Sequence, residues 1–372
     1  MRKTTTRLPD TWFVLVDLNL SYGREIVFGA GHYLTGVPNV RLAIGDKSGL
    51  DYILKSRKGP VISSFTDAND QRNGLATGYP VVNVSGVSSD AVLPRVTIDN
   101  WAVGQVVAEH LLSGGYKNFA WMGLDCWFSE LRKEGFTHAL SARGFACSII
   151  PRPEAIEDTL LCIEKPTAIF VDNDSWARQL IDVCRKQDLH VPVDMAIVGV
   201  GNDPIFCETT VPHLSSVDIN GEKVGFEAAR LVHEMLLGKP APREPILIPP
   251  KGVVVRESSD AVAVDVPALA RAVAYIRQHA NEGISVAHIS TAAHIPRRTL
   301  HDLCRKRLNM SISELTRKYR IERAKHLLTE TDRTVADVAG SCGFTNTSRF
   351  HTIFRRLTGL SPAIFRQQRR LR

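Results

Sequence analysis

Between Val286 and Ser361 the chain writes the same short pattern twice. Val286-Ala-His-Ile-Ser-Thr-Ala-Ala-His-Ile lies over Val335-Ala-Asp-Val-Ala-Gly-Ser-Cys-Gly-Phe at an offset of 49 residues. Leu300, Leu303, Cys304, Arg305 and Lys306 lie over Phe350, Ile353, Phe354, Arg355 and Arg356 at an offset of 50, as Met310-Ser311 does over Leu360-Ser361. One inserted residue accounts for the change of register. A repeat of this size specifies two copies of one supersecondary unit, here a short helix, a tight turn and a second helix.

The second copy shows what the unit presents outward. In VADVAGSCGF the apolar Val335, Val338 and Ala339 face inward, and Gly343 permits the turn. In the helix that follows, Phe350, Ile353, Phe354 and Leu357 recur at i, i+3, i+4 and i+7, which predicts one buried stripe. The opposite face carries Asn346, Thr347, Ser348, Arg349, His351, Thr352, Arg355 and Arg356. In the first copy Pro296 suits a first helical turn, and Leu300, Leu303 and Leu308 point inward. There Arg297, Arg298 and His301 would face bases, and Arg305, Lys306 and Arg307 the backbone. A donor-rich amphipathic helix of this kind fits the major groove of double-stranded DNA.

Charge agrees with that partner. The formal net charge of +7 hides an asymmetry: residues 268–372 hold 20 Lys+Arg against 7 Asp+Glu, whereas residues 1–267 hold 26 against 32. An acidic body with a strongly basic C-terminal module points to a polyanion.

From 11 to 256 the pattern is different. Apolar runs at 13–18, 40–44, 60–65, 79–84, 95–99, 119–124, 146–150, 168–172 and 196–200 read as strands. Helix-length stretches at 22–34, 100–112, 129–143, 175–187 and 220–237 lie between them. Such alternation, with near-continuous apolar strands, predicts parallel sheets covered on both faces. About 245 residues exceed what one compact sheet needs, so two lobes are expected, at about 11–115 plus 218–238 and 116–217 plus 239–256. The small, polar, Pro-containing 257–267 reads as a linker, and 268–372 as an all-helical domain.

Several classes are set aside. No apolar run approaches a membrane span, and the N-terminus reads as no signal peptide, since FVLV ends at Asp17. The seven scattered cysteines lack CxxC spacing and read as reduced thiols of a cytoplasmic protein, and no metal set is apparent. The stretch GVGNDP (199–204) starts like a dinucleotide-binding turn but has Pro204 where the third glycine belongs. Without a nucleophile elbow, HExxH or Walker loop, no enzyme, catalytic residue or cofactor is expected. A solute-binding protein feeding a transporter would leave the basic repeat unexplained.

The close GFTNTSRFHTIFRRLTGLSPAIFR (343–366) resembles the signature of the AraC family of DNA-binding domains, with Gly359, Ser361, Pro362, Phe365 and Arg366 in place. The resemblance implies two helix-turn-helix units bridged by a long helix, here 313–328. The body resembles the periplasmic-binding-protein-like (type I) sensor of LacI-type regulators, through Val96-Thr-Ile-Asp99-Asn100, Leu131-Arg132-x-x-Gly135-Phe136, Val171-Asp-Asn-Asp174 and Ala196-Ile-Val-Gly199. Together they imply a cytoplasmic bacterial transcription regulator of a carbohydrate-utilisation operon. Its expected partners are operator DNA, a small xylose-like sugar effector, a second copy of the chain and RNA polymerase. Activation is expected; a repressor or dual regulator answering a non-pentose sugar or another metabolite is the alternative. Sugar hydroxyls suit planar bidentate groups and an aromatic ring. The candidates are Asn19, Tyr22, Asp99, Arg132, Asp174 and Asn202, with Trp127 and Trp176 as stacking rings. Asp99 and Asp174 are equally placed to cap helices. The LacI-type pattern usually has an acidic residue where this chain has Gly201, which leaves Asn202 and Asp203 to compensate.

Overall fold

The computed structural model describes residues 9–46, 59–90, 92–152, 156–260, 266–308, 310–331 and 333–370. The chain divides into two compact units, Met1–Asp260 and Ala261–Arg372.

The first unit alternates strand and helix. It opens with β1 (Thr11–Leu15), α1 (Ser21–Leu34), β2 (Arg41–Gly45), β3 (Val61–Ser63), α2 (Ala68–Leu75), β4 (Val81–Asn83) and β5 (Val96–Ile98). It continues with α3 (Asn100–Ser113), β6 (Asn118–Met122), α4 (Trp127–Ser141), β7 (Cys147–Ile149), α5 (Glu157–Cys162), β8 (Thr167–Val171), α6 (Asp174–Lys186) and β9 (Met195–Val200). It closes with α7 (Pro204–Thr209), β10 (Ser215–Asp218), α8 (Gly221–Leu236), β11 (Ile246–Ile248) and β12 (Gly252–Val254). Strands such as β1, β8 and β9 are buried along their whole length, which is why they read as unbroken apolar runs.

The first lobe holds the parallel order β2-β1-β3-β4, continued by a bridge from Asn83 to Arg95 into β5 and its partner β11. The second lobe holds β12-β10-β9-β8-β6-β7, with only β12 antiparallel among these described strands. The lobe limits differ from those expected in two places. Helix α3 packs on α4 of the second lobe, so the chain leaves the first lobe at 98–100 rather than near 115. Strand β11 returns to β5, so part of 239–256 belongs to the first lobe. Neither difference is written in the sequence, because three-residue strands give no period to read. The chain thus crosses at 98–100, 218–220 and 248–251, and these crossings are tied together. The Asp99 N–H donates to the Ile248 carbonyl, and the Lys251 N–H donates to the Asp218 carbonyl.

Helices α3 and α4 meet at glycines. A Cβ on Gly104 would lie 2.1 Å from the Arg132 carbonyl oxygen, and one on Gly135 would lie 2.1 Å from that of Trp101. The helix carrying Arg132 is therefore seated by backbone-to-backbone contact. Gly104→Ala is expected to destabilise the protein by about 3 kcal/mol through overpacking, read as a lower denaturation midpoint; an unchanged midpoint would show that the pair can separate freely.

In the second unit α9 (Pro267–His279), α10 (Val286–Ala292) and α11 (Arg297–Leu308) enclose one core, with Ile276, Ile289, Leu300 and Cys304 at its centre. Helices α13 (Val335–Ser341), α14 (Thr347–Thr358) and α15 (Pro362–Arg370) enclose another, built on Val338, Phe350 and Phe354. Helix α12 (Ile312–Glu330) runs through both, giving Ile312 and Leu315 to the first and Ile321, Ala324 and Leu328 to the second. The turn residue of each copy, His294 (φ 54°) and Gly343 (φ 72°), is left-handed at the equivalent place. Leu357, expected inward, is 48% exposed: it lies past the edge of the second core, which Phe365 closes against Phe354. The closing motif is structural: Gly359 ends α14 in the left-handed conformation, and Arg366 donates to the carbonyls of Leu328 and Arg333.

Candidate ligand cavity and nucleic-acid face

Nine strands of the first unit deliver their carboxyl ends to one place. Segments at the ends of β1, β2, β3, β4, β5, β6, β8, β9 and β10 line a cavity of about 760 Å³ between the lobes, where open α/β sheets bind ligands. Among the described residues no cluster of side chains is arranged to hold a metal ion.

Arg132, on α4, reaches the cavity wall at 6% exposure. Its Nε donates to Asn100 Oδ1 at 2.9 Å and its Nη1 to the Asp172 carbonyl at 2.6 Å. The guanidinium lies 4.7 Å from the centre of the Phe128 ring. Burial lowers its pKa, opposed by the nearby Asp172 charge. Two fixed hydrogen bonds and a ring leave this cation with one orientation, which suits it to grip neighbouring hydroxyls. Tyr22 also lines the cavity; its hydroxyl donates to the Val84 carbonyl at 2.6 Å, and burial raises its pKa. Asn19 stands at the exposed mouth, its N–H donating to Asp17 Oδ1.

Asp174 forms part of the wall, but its carboxylate is held by the protein. It accepts from Ser216 Oγ at 2.6 Å, the Asp203 N–H at 2.9 Å and Cys207 Sγ at 3.7 Å, while Asn173 caps the helix. Burial raises its pKa to about 6 against the pull of those donors. A carboxyl raised in the folded state stabilises it while protonated and loses that contribution as pH rises from its ordinary 3.8 to about 6. Asp174→Asn is therefore expected to flatten the stability profile by up to one proton across that window, measured by denaturant melts at stepped pH. An unchanged slope would place the titration elsewhere.

Other expectations need correction. Asp99 lies outside the wall and caps α3, accepting from the Ala102 N–H at 3.0 Å. Trp176 packs against the second-lobe core with Arg152 5.4 Å away, not on the cavity. Trp127 is likewise outside it, its N–H donating to the Val87 carbonyl across the cleft. Helical rotation places its neighbour Phe128 in the wall instead, and Phe206 lies there too. Asn202 sits behind the wall in a left-handed turn (φ 48°), its N–H donating to Ser216 Oγ and its own Oδ1 buried without a partner. Gly201 (φ 125°) is in the wall, where an added Cβ would lie 3.2 Å from Asp174 Oδ2. An acidic side chain there would meet a second carboxylate, and the Gly201, Asn202 and Asp203 N–H groups already donate to the Val217 carbonyl, Ser216 Oγ and Asp174 Oδ2, so GVGND is no phosphate cradle.

In the second unit Arg297, Arg298, His301 and Arg305 are exposed on α11. Thr347, Ser348, Arg349, His351 and Arg355 are exposed on α14. Asn346, exposed as well, caps α14 by accepting from the Arg349 N–H at 2.9 Å. The Arg307 side chain and 261–265 of the expected linker lie outside the described residues.

Residues 108–259 match the periplasmic binding protein-like domain family, and residues 289–368 match a helix-turn-helix domain family. The xylose operon regulatory protein of Escherichia coli strain K12 is 25% identical, with 95% of this chain and 96% of that protein aligned. Its namesake from Haemophilus influenzae is 26% identical over 95% of this chain and 97% of its own length. The chain thus joins a periplasmic-binding-protein-like domain to a C-terminal helix-turn-helix domain of AraC type. The same architecture is seen in the solved structure of xylose-binding transcription activator xylR, at a TM-score of 0.78 and 24% identity over 96% of this chain and 97% of that one. The sensor alone matches a CelR–cellobiose complex at a TM-score of 0.56 and 22% identity, over 68% of this chain and 85% of that one. This regulator's relatives act on transcription rather than catalysis, so the oxidoreductase reading of GVGNDP falls away. No helix among its described residues is long and apolar enough to cross a membrane.

Proposed function

We propose that the protein is a cytoplasmic activator of a carbohydrate-utilisation operon, switched by a small sugar in the cavity of its sensor. The observation that carries this reading is Arg132: a buried, oriented cation in the wall of a cavity whose two sides belong to separately hinged lobes. Asn19, Tyr22 and Asn173 add hydrogen-bonding groups, and Phe128 and Phe206 offer apolar faces to ring carbons. Lengthwise similarity to xylose operon regulators supports a pentose-like effector. Gly201 narrows that choice, because it withholds a carboxylate from one side of the cavity.

Ligand held by both lobes stabilises their closed arrangement and shifts the population towards it. The two basic helices read DNA. Each is seated on one end of α12, whose 19 residues span about 28 Å, close to one turn of B-DNA at about 34 Å. On this reading the protein works as a homodimer on operator DNA and engages RNA polymerase there.

Calorimetry against pentoses and hexoses, with D-xylose and D-xylulose included, tests the sensor; heat from at least one sugar is expected, and none from any would remove the sugar assignment. Mobility-shift assays with DNA selected from a random pool test the reader: removing residues 266–372 is expected to abolish binding, and retained binding would overturn the DNA assignment.

A further inference from the structure

The cavity wall and the root of the segment leading to the DNA-binding unit are joined by one short helix. At its N-terminal end, Asp203 Oδ1 caps α7 through the Ile205 N–H at 3.0 Å, while Oδ2 pairs with Arg24 Nη2 at 2.8 Å. Arg24 belongs to α1 of the first lobe, so this ion pair spans the cleft. The Asp203 carboxylate is only 6% exposed, which shields the pair from solvent screening. Arg24 Nη1 also donates to the carbonyls of Leu18 and Asn19, in the loop at the cavity mouth. Beside it, Ser21 Oγ of the first lobe reaches the Gly201 carbonyl of the second at 3.4 Å. In the middle of α7, Phe206 forms part of the wall and Cys207 is buried.

At the other end Glu208 Oε1 pairs with Arg256 Nε at 2.7 Å. Arg256 Nη1 donates to the Leu214 carbonyl, and its N–H donates to Ser215 Oγ. The next residues are fastened to the second lobe in turn: Glu257 accepts from the His213 N–H, Ser258 Oγ donates to the Ile197 carbonyl, and Ser259 bonds His110 at 2.8 Å. The sensor ends at Asp260.

We propose that α7 is the coupling element of this regulator, with Arg24 and Asp203 registering lobe closure and Glu208 and Arg256 carrying it to the root of the DNA-binding unit. The regulatory meaning rests on the sugar-switched reading above; the mechanical coupling does not. A ligand that draws the lobes together strengthens the Arg24–Asp203 pair and fixes the α7 N-terminus. Because the helix is six residues long and hydrogen-bonded as one turn and a half, its two ends move together. Arg24, Glu208 and Arg256 are positioning residues: none of the three lines the cavity.

Hydrogen exchange on the full chain, with no sugar present, tests the coupling. Arg24→Gln is expected to speed amide exchange at 256–260 by roughly 2- to 30-fold, besides its direct effect at 201–209. Glu208→Gln cuts the path at its far end, so adding Arg24→Gln in that background should leave exchange at 256–260 unchanged. Wild-type exchange at 256–260 in Arg24→Gln, or the same acceleration with and without Glu208, overturns the proposal. A second readout separates positioning from binding: with whichever of D-xylose or D-xylulose gives calorimetric heat, Glu208→Gln should keep the affinity within about two-fold while DNA binding stops responding. If no pentose or hexose binds, the sugar reading fails, and the exchange cycle still decides the coupling.

Discussion

Arg132→Ala is expected to remove sugar binding, lowering affinity at least about 100-fold, and to destabilise the sensor by about 2–3 kcal/mol. Two losses combine. The first is the cation itself, which faces the cavity in a fixed orientation. The second is structural: Asn100 Oδ1 and the Asp172 carbonyl, both on buried residues, lose their donors, and buried acceptors left unpaired cost more than the bonds they made. Asp172 is itself fully buried, its carboxylate accepting from the Leu124 N–H and Ser129 Oγ, so Arg132→Ala also strips a buried carboxylate of the cation beside it. Arg132→Lys separates the two effects. A point charge on a flexible stem cannot serve Asn100 and the Asp172 carbonyl in one plane, so stability should recover in part while affinity stays at least about ten-fold weak. Calorimetry and urea melts on both variants decide it; sugar affinity equal to wild type in Arg132→Ala would remove the arginine from the site.

Phe350→Ala should cost about 3–5 kcal/mol, and the cost falls on a small core. Phe350 is fully buried and packs against both Phe344 and Phe354, with ring centres 5.1 and 5.5 Å away. That core is built by short helices of one helix-turn-helix unit, so a cavity of this size is expected to melt the unit while the sensor unfolds at its usual temperature. DNA binding would vanish and sugar binding would persist. Arg349→Ala gives the contrast: its side chain is exposed, so stability should be unchanged while DNA affinity drops by about 1–3 kcal/mol. Two calorimetric transitions, one lost in Phe350→Ala, check the argument; a single unshifted transition would show that Phe350 is not structural.

The parts of this molecule legible in sequence are those where one residue type repeats with a period. The buried strands declared themselves as apolar runs, and the doubled helix-turn-helix declared itself through offset repetition and charge. What failed to show were features decided by a single residue's rotation or by a distant partner. Trp127 and Phe128 are adjacent and both aromatic, yet the turn of α4 gives only Phe128 to the cavity. Asp99 and Asn100 stand side by side at a helix start; the first caps the helix, and the second receives Arg132. Asp174 was legible as a carboxylate at a strand end, but not the three donors from distant segments that occupy it. Arg24 carried no signal at all, because its meaning depends on Asp203, 179 residues away.

The crossing of the chain between lobes also bears on how the sensor is made. The two lobes alternate along the chain, and β5 receives β11 only when Ile246–Ile248 has been synthesised. Domains fold from the N-terminus as the ribosome delivers them, so a nascent chain halted inside the second lobe carries an open sheet edge at Val96–Ile98. A complete cavity first exists in chains already within a few residues of the DNA-binding unit. Birth order alone thus ensures that every reader of DNA emerges behind a finished sensor.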